Sequence, residues 1–585
     1  MFINKSSGGS SSMPIEIGHS GLSVTVEENV PADMRDGTIL RSDVYRPSRP
    51  GNYPVLLCRT PYDKSAAGYV ETAQELGSRG YIVVVQDLRG RYESDGEWPW
   101  HYEDKATISD GQDGYDTVEW AVGLPGSDGQ VGTWGHSYPA WCIWSLAATQ
   151  PPHLTAVFAS GMSSRLLDMN FGVFETNRRL QFAYVMAADS RRRAGDASGP
   201  RTSEEADEQW YEVERGKWIW YLPLGDIPDH AFSTLTPALK RYLTEQNKEF
   251  WAFDKNYHRV NVATCQVTGW YDRLIGTVDN FAGMEKEGPE SLRGQHRLII
   301  GPWEHDSSNY TQHQGPLDFG PDANITYPDV ISRWYDYQFK GIDNGIESEP
   351  PVKLFVMGEN RWRFENEWPL ARTRYTEFFL HSDGNANTVS GDGTISTSPP
   401  TSESPDEYDY DPRDPVMSLM DISAQSAPRD QGPLDGRTDI LVYQTAQLQE
   451  DIEVTGPVTL KLWAASSAPD TDFCAKLIDV HPSGLAVNLS YGITRARYRN
   501  GYNNPSLIEP GKPYEYTIRI NPTGILFTRG HRIRIDVSSS DFPNFDRNHN
   551  TGADYWLDAE LRVAHQTVFH ESKHPSRLVL PVIPR

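Results

Sequence analysis

Continuously apolar segments alternate with segments of helical periodicity in the first part of the chain. Apolar runs at residues 54–58, 81–86 and 154–160 predict strands that are covered on both faces, as in a parallel sheet. Helical patterns occupy residues 69–80 and 114–122. This alternation predicts a doubly wound α/β domain.

The pattern changes twice further along the chain. Residues 166–254 are helix-like, rich in aromatic and charged side chains and without strand patterns, which predicts an inserted helical cap. The α/β alternation resumes in residues 255–348. From residue 349 to 585 the chain is strand-rich with many turns, which predicts a β jelly roll. Within it, residues 382–414 are rich in Ser, Thr, Pro, Asp and Gly and predict a mobile loop.

The remaining two segments of the predicted domain organisation lie at the start of the chain. Residues 21–165 form the first part of the α/β domain, and they begin with an alternating pattern that predicts an antiparallel strand pair. Residues 1–20 lack a charged segment followed by an apolar one, so they predict a flexible tail rather than a signal peptide.

One stretch of the α/β domain carries a candidate nucleophile. Residues 130–150, QVGTWGHSYPAWCIWSLAATQ, predict a strand, a sharp turn and a helix, with Ser137 in the turn. Such a turn exposes a serine hydroxyl, and the helix directs backbone N–H groups to the reacting carbonyl. Gly135 leaves room for the turn, and Pro139 falls in the first helical turn, where its missing N–H has no cost. A serine that only caps a helix is the alternative.

An acid and a base follow in the order that an α/β hydrolase requires. Asp272 follows a predicted strand at residues 264–270, and His305 follows another at residues 296–301. A serine, an acid and a histidine that each leave the carboxyl end of a strand predict a catalytic triad. Each residue taken singly has another interpretation that remains open: Asp272 only caps the helix after it, and His305 is an ordinary histidine.

The oxyanion of a tetrahedral intermediate needs hydrogen-bond donors. The backbone N–H of Tyr138, next to the nucleophile, is the first predicted donor. Tyr62 follows the strand at residues 54–58 and is the candidate for the second, because a phenol stays protonated at neutral pH. A tyrosine that only packs at a turn is the alternative for Tyr62.

Motifs along the whole chain carry a family resemblance. They are RTPYDK, DLRGRYESDGE, GYDTVEW, GHSYPA, GWYD, GPWEH, VTGPVTLKLWAAS, DTDFCAKLIDVHP and RGHRIRIDVSSSDFPNFDRN. Together they resemble the cocaine esterase and X-prolyl dipeptidyl-peptidase family of serine hydrolases. The resemblance implies an α/β-hydrolase domain with a helical cap and a C-terminal jelly roll. It also implies that Ser137 is the nucleophile, Asp272 the acid and His305 the base, and that Tyr62 is the side-chain oxyanion donor.

Two features depart from the pattern of this family. Ala140 stands where the family usually has glycine, three residues after the nucleophile. Leu274 and Ile275 occupy positions at which relatives that hydrolyse α-amino acid esters carry acidic residues. This apolar pair predicts an uncharged acyl group and favours ester over amide cleavage. The predicted walls of the substrate pocket are Trp141, Leu274, Trp303, Leu419 and Met420.

Two other functions remain open. An X-prolyl dipeptidyl-peptidase needs acidic cap residues to bind a free amino terminus, and the cap offers Glu204, Glu205, Asp207 and Glu208. Such a run of charge is more often a solvated helix face. A binding protein with a vestigial hydrolase domain is the alternative from another class, although the complete set of serine, acid and histidine argues against it.

The composition limits the classes of partner that the protein is expected to bind. A formal charge of −26 argues against nucleic acid and anionic membranes as partners. No apolar run is long enough to span a bilayer, and the four scattered cysteines favour a reducing cytoplasm. No cluster of residues has metal-ligand spacing, so neither a metal nor a cofactor is predicted. The expected partner is a small-molecule ester or amide, with a homo-oligomer as a further possibility.

Overall fold

The computed structural model describes residues 14–15, 21–98, 100, 110–165, 172–244, 253–306, 310–420 and 428–584. The predicted tail at residues 1–20 lies outside them, apart from the strand Pro14–Ile15, which pairs with the strand that contains Val24. Residues 166–171 and 245–252 of the predicted cap also lie outside the described residues.

The first part of the chain forms a sheet of eleven strands with a parallel centre. The strands up to residue 365 are β1 (Pro14–Ile15), β2 (Val24–Asp33), β3 (Ile39–Pro47), β4 (Tyr53–Thr60), β5 (Ile82–Asp87), β6 (Ser127–His136), β7 (Leu154–Ser160), β8 (Ala263–Gly269), β9 (Arg297–Gly301), β10 (His313–Gln314), β11 (Leu317–Asp318), β12 (Val352–Val356) and β13 (Arg361–Glu365). Their order in the sheet is β1-β2-β3-β5-β4-β6-β7-β8-β9-β12-β13, and β10 and β11 form a separate hairpin.

Helices cover both faces of this sheet. The helices are α1 (Ala67–Ser78), α2 (Asp110–Val122), α3 (Tyr138–Ala147), α4 (Thr176–Ala194), α5 (Ser203–Gln209), α6 (Arg215–Trp218), α7 (Thr236–Thr244), α8 (Thr277–Glu287) and α9 (Tyr327–Lys340). In β4, Leu57 packs in the apolar cluster that includes Trp144 of α3, whereas Leu56 packs with Leu76 of α1 and Trp334 of α9. Successive side chains thus enter opposite layers, which accounts for the continuous apolar pattern.

The chain from α4 to α7 is inserted between β7 and β8 and packs over the ends of the parallel strands. Its described residues contain helices and turns, including a π-helical turn at Trp210–Glu214. The predicted α/β hydrolase with an inserted helical cap is confirmed. None of the helices in the described residues is both long and apolar enough to cross a bilayer.

The C-terminal part is a β sandwich whose strands follow a jelly-roll order, as predicted. The strands are β14 (Arg374–His381), β15 (Thr394–Ser396), β16 (Asp406–Tyr410), β17 (Leu441–Gln444), β18 (Ile452–Ser466), β19 (Asp472–Val480), β20 (Ala486–Arg495), β21 (Tyr514–Phe527), β22 (Arg532–Ser538), β23 (Ala564–Phe569) and β24 (Arg577–Val582). They pair in the order β16-β23-β18-β24-β14-β15-β17-β22-β19-β20, and β21 pairs with β18. Leu460 and Ile535 lie in an apolar core that also contains Trp270 and Tyr271 of the first domain.

The observed strand pairing differs from the sequence prediction in two places. Strand β12 pairs in parallel with β9, so the first sheet extends to Glu365, beyond the predicted limit at residue 348. The stretch at residues 382–414, predicted as one mobile loop, contains β15 and β16. Polar side chains of this stretch form hydrogen bonds within the protein: buried Asp406 accepts hydrogen bonds from Ser382 Oγ (2.8 Å) and from Tyr443 OH of β17 (2.7 Å).

Candidate active site

Ser137 occupies the sharp turn between β6 and α3. Its backbone has φ 63° and ψ −122°, a conformation that non-glycine residues rarely adopt and that is typical of a strained nucleophile turn. Gly135 permits the turn, because a Cβ there would lie 2.6 Å from Cβ of Pro139. The predicted strand, turn and helix are therefore present, with the serine hydroxyl at the surface of a cavity.

The structure brings the predicted serine, histidine and acid into one hydrogen-bonded chain. His305 Nε2 lies 2.9 Å from Ser137 Oγ, and His305 Nδ1 lies 2.7 Å from Asp272 Oδ1. Asp272 is also held by the backbone N–H of Leu274 at 2.7 Å and the hydroxyl of Thr268 at 3.3 Å. These contacts fix the carboxylate, which in turn fixes the plane of the imidazole.

Electrostatics keep the Asp272 carboxylate ionised. Burial alone would raise its pKa, but the charge of His305 and the hydrogen bonds from His305 and Leu274 hold the pKa below its ordinary value. An ionised, buried carboxylate stabilises an imidazolium on the neighbouring ring. This is the electrostatic role that a triad acid requires.

Two groups flank the position where an oxyanion would form. Burial raises the pKa of Tyr62 to about 12, against a smaller opposing effect of its hydrogen bond with the Ser137 hydroxyl, so the phenol keeps its proton at neutral pH. Its ring packs edge-on against Tyr138 and Phe182, with centroids 6.4 and 6.3 Å away. Tyr138 is the first residue of α3, in the turn whose N–H groups are suited to an anion.

His136, the residue between Gly135 and Ser137, is part of the site and was missed in the sequence. Its ring centroid lies 4.5 Å from that of His305. Its Nδ1 lies 3.1 Å from Ser160 Oγ. Burial, and then the charge of His305, lower the pKa of His136 to about 3, so the ring is neutral.

Gly161 provides the space for this second histidine. A Cβ at Gly161 would lie 2.3 Å from Cε1 of His136 and 3.1 Å from Oδ2 of Asp272. A histidine inside the G-x-S motif was the available signal, but its ring partner His305 comes from the loop after β9, which the local motif does not show.

A cavity of about 1100 Å³ opens on Ser137 and His305. Its walls come from α1, from α4 and α5 of the cap, and from the start of α9. Negative charge dominates the walls, since Arg79 is paired with Glu75 at 2.7 Å and Asp329 at 2.5 Å. The acidic and basic residues that line the cavity, apart from histidines, are Glu71, Glu75, Arg79, Glu204, Asp207 and Asp306.

The predicted pocket walls lie elsewhere. None of the five is among the residues that line this cavity. Trp303 is wrong as a wall, because its side chain is fully buried and stacks on Tyr310 at 4.6 Å. Trp141 and Leu274 are buried in the core next to the turn, and Leu419 and Met420 are half-buried against small apolar clusters.

A buried ionic cluster connects the cap to the loop that carries Asp272. Glu175, at the start of α4, lies 3.3 Å from Arg178, 3.0 Å from Arg179 and 3.5 Å from Arg273. Burial, and then the neighbouring Arg273, lower the pKa of Arg178 to about 9, so its guanidinium remains charged at neutral pH. This charge acts on Tyr62 and favours negative charge at the predicted oxyanion position.

Comparisons with known proteins agree with this architecture. The sequence profile of the X-Pro dipeptidyl-peptidase (S15 family) matches residues 36–307, and that of the X-Pro dipeptidyl-peptidase C-terminal non-catalytic domain matches residues 344–579. A cocaine esterase of Rhodococcus sp. (strain MB1 Bresler) is 35% identical over 96% of this chain and 99% of the relative.

Solved structures share the fold over nearly the whole chain. An α-amino acid ester hydrolase has a TM-score of 0.81 at 24% identity and covers 97% of this chain and 98% of its own. An aminopeptidase from a marine sediment archaeon, Thaumarchaeota archaeon, has a TM-score of 0.75 at 24% identity, with coverage of 99% and 100%. At this identity the likeness establishes the fold alone.

Proposed function

Because the chain belongs to the X-Pro dipeptidyl-peptidase (S15) and cocaine esterase family of serine hydrolases, we propose that it hydrolyses carboxylic esters through an acyl-enzyme on Ser137. The observation that carries this proposal is the hydrogen-bonded chain from Asp272 through His305 to Ser137. It ends at a cavity of about 1100 Å³, slightly above the range of about 300–1,000 Å³ that is usual for ligand sites, which is large enough for a small-molecule ester.

The first half of the reaction forms the acyl-enzyme. His305 Nε2 takes the hydroxyl proton as Ser137 Oγ bonds to the ester carbonyl carbon. The carbonyl oxygen becomes an oxyanion, which accepts hydrogen bonds from the phenol of Tyr62 and the N–H of Tyr138. The intermediate collapses, the bond to the alcohol oxygen breaks, and His305 returns its proton to the departing alcohol.

The second half of the reaction releases the carboxylic acid product. Water loses a proton to His305 and attacks the acyl carbon through a second oxyanion at the same donors. Collapse breaks the bond to Ser137 Oγ, which recovers the proton from His305. The enzyme returns to its starting state, and Asp272 stays ionised throughout.

The two residues that follow Arg273 offer no partner for a positively charged acyl group. Leu274 and Ile275 follow Asp272 and are buried in apolar clusters, so no carboxylate is available at these two positions to bind an ammonium group. The cocaine esterase relative supports ester rather than amide cleavage.

One observation favours a second candidate, an X-prolyl dipeptidyl-peptidase. Glu204 and Asp207, two of the cap acids that such an activity would use, line the cavity that contains Ser137. Gln181 of α4 donates to Asp207 Oδ1 at 2.8 Å, which holds this carboxylate on the cavity wall. An acidic wall in the same cavity as Ser137 suits a substrate with a free amino group.

A pair of chromogenic substrates separates the two candidates. We would measure turnover of 4-nitrophenyl butyrate and of glycyl-prolyl-4-nitroanilide by the wild type, Ser137→Ala and Ser65→Ala. Ser65 is the matched control, since its hydroxyl bonds to Asp63 at the surface. The esterase proposal expects ester turnover that falls about 10⁶-fold in Ser137→Ala and is retained in Ser65→Ala.

The same experiment can overturn the proposal. Rapid cleavage of the dipeptide, with slow ester turnover, would make the peptidase the correct activity. Ester turnover that survives in Ser137→Ala would exclude Ser137 as the nucleophile. Turnover of neither substrate would favour the binding-protein alternative.

A further inference from the structure

Two turns of the jelly roll bring one carboxylate and two imidazoles together. Asp479 lies in β19 and His481 in the turn after it, whereas His531 directly precedes β22. Strands β19 and β22 are antiparallel neighbours in which Asp479 lies opposite Ile533. Strand pairing therefore places the three side chains at one end of the sandwich, although 50 residues separate the two turns along the chain.

The donor atoms of these side chains converge. His531 Nδ1 lies 2.8 Å from Asp479 Oδ1, and His481 Nε2 lies 3.4 Å from Asp479 Oδ2. All three donor atoms lie within 4.8 Å of one another. Ligand bonds of about 2.0–2.1 Å in a tetrahedral site separate neighbouring donors by about 3.3–3.4 Å. Small side-chain rotations are enough to reach that arrangement.

The backbone of both turns is fixed by hydrogen bonds. In the first turn, the N–H of His481 donates to Leu485 O at 2.8 Å, and the N–H of Gly484 donates to His481 O at 2.9 Å. In the second turn, the N–H of Leu448 donates to His531 O at 2.9 Å. The imidazoles are thus held close together before any ion binds, which lowers the entropic cost of binding.

Exposure leaves one side of the cluster open to water. The Asp479 side chain is 8% exposed, that of His531 16% and that of His481 28%. A buried carboxylate with two partly exposed imidazoles allows an ion to enter and leaves a coordination position for water. Two nitrogen donors suit first-row transition metals better than Ca²⁺ or Mg²⁺, which prefer oxygen ligands.

We propose that Asp479, His481 and His531 bind one divalent first-row transition-metal ion such as Zn²⁺. The ion would join the β19–β20 and β21–β22 turns. It takes no part in ester hydrolysis, because the site lies outside the cavity that contains Ser137.

The site nevertheless lies close to the loop of the predicted acid. The Asp479 carboxylate acts electrostatically on the buried phenol of Tyr271, the residue before Asp272. An ion at this site would connect the two turns beside this loop, and its expected role is to stabilise this end of the jelly roll.

Isothermal titration of the full-length protein, without a histidine tag and freed of metal by EDTA, tests the proposal with ZnCl₂. We expect one site per chain, and an affinity that falls about 10- to 100-fold or more in His481→Ala and in His531→Ala. The matched control is His565→Ala. His565 also contacts two carboxylates, but through opposite ring nitrogens, at 2.9 Å to Asp409 and 3.4 Å to Glu407, so its donors do not converge.

A thermal scan with and without Zn²⁺ gives a second readout. The wild type and His565→Ala should gain in Tm with the ion, whereas the two cluster variants should not, with folding verified by circular dichroism. A wild-type Kd weaker than about 1 mM, or equal affinities in the wild type and both cluster variants, would overturn the proposal. The side chains would then form only histidine–aspartate hydrogen bonds.

Discussion

Removing the hydroxyl of Tyr62 is the sharpest test of the oxyanion site. In Tyr62→Phe the ring keeps its contacts with Tyr138 and Phe182, whose centroids lie 6.4 and 6.3 Å away. The fold should therefore be preserved, and the change reduces to one lost donor. One donor of an oxyanion site contributes about 2.7–4 kcal/mol, or about 10²–10³-fold in kcat.

The environment of the Tyr62 phenol supports the full expected loss of kcat, about 10²–10³-fold. The raised pKa of about 12 keeps the wild-type phenol protonated through the assay range. The interaction strengthens as charge develops on the carbonyl oxygen. We therefore expect kcat toward 4-nitrophenyl butyrate to fall about 10²–10³-fold, with KM within about threefold of the wild type.

Tyr69→Phe is the matched control for this measurement. Tyr69 lines the same cavity, but its hydroxyl is the partner of Thr60 Oγ1, at 2.9 Å, rather than of Ser137. Its removal should change kcat by less than about threefold. A Tyr62→Phe variant with kcat within about threefold of the wild type, or a Tyr69→Phe variant impaired to the same degree, would refute the assignment of Tyr62.

The remaining predictions concern titration, orientation and stability. The pKa of Asp272 lies below its ordinary value, that of His136 at about 3 and that of Tyr62 at about 12, so none titrates between about pH 5 and 10. We therefore expect these three groups to contribute no limb to the kcat/KM profile between about pH 5 and 10, and a limb in this range that Tyr62→Phe or His136→Gln removes would contradict this. Asp272→Asn should lower kcat about 10⁴-fold because the imidazole loses its orienting charge; a loss below about tenfold in steady-state kinetics would exclude this role. His136→Ala should lower kcat about 10- to 100-fold, because the His305 ring loses a neighbour that holds its position. His136→Gln should restore part of this loss. An unchanged kcat in His136→Ala would show that His136 only packs against the site. Glu175→Gln should lower the free energy of unfolding in urea by about 3–5 kcal/mol, because buried guanidinium groups lose their carboxylate. The control is Glu377→Gln at the exposed pair with Arg577, which should cost less than about 1 kcal/mol. Equal losses in the two variants would contradict the reasoning.

The sequence predicts the elements of the site well, because each depends on local pattern. The predicted strand at residues 154–160 coincides with β7, and the predicted helix at residues 114–122 ends at the same residue as α2. Ser137, Asp272 and His305 each follow a buried apolar strand, and parallel strands present their carboxyl ends at one edge of a sheet. Three local signals therefore place three distant residues in one site.

The cavity walls were not predictable in the same way. They come from α1, from the cap and from the start of α9, and no local pattern shows which helix face meets the nucleophile. The acidic residues Glu204 and Asp207 looked like a solvated face, and they line the cavity only because α5 packs on α4. Similarly, β12 resembles a jelly-roll strand, and only its parallel pairing with β9 assigns it to the first sheet.

The jelly roll contributes to the active site by supporting the loop that carries Asp272. Trp270 and Tyr271 precede the acid and are buried in the apolar core of the second domain. The indole of Trp270 donates to Phe355 O of β12, in the first sheet, at 2.6 Å, and on the jelly-roll side a Cβ at Gly524 of β21 would lie 2.5 Å from the same ring. The carboxylate can hold the imidazole only if this loop keeps its position. On the opposite side, Glu175 connects the cap to Arg273, the residue after the acid. The loop that carries the predicted acid is therefore held between two parts of the chain that supply no member of the proposed triad, which gives a physical reason for both additions to the α/β core.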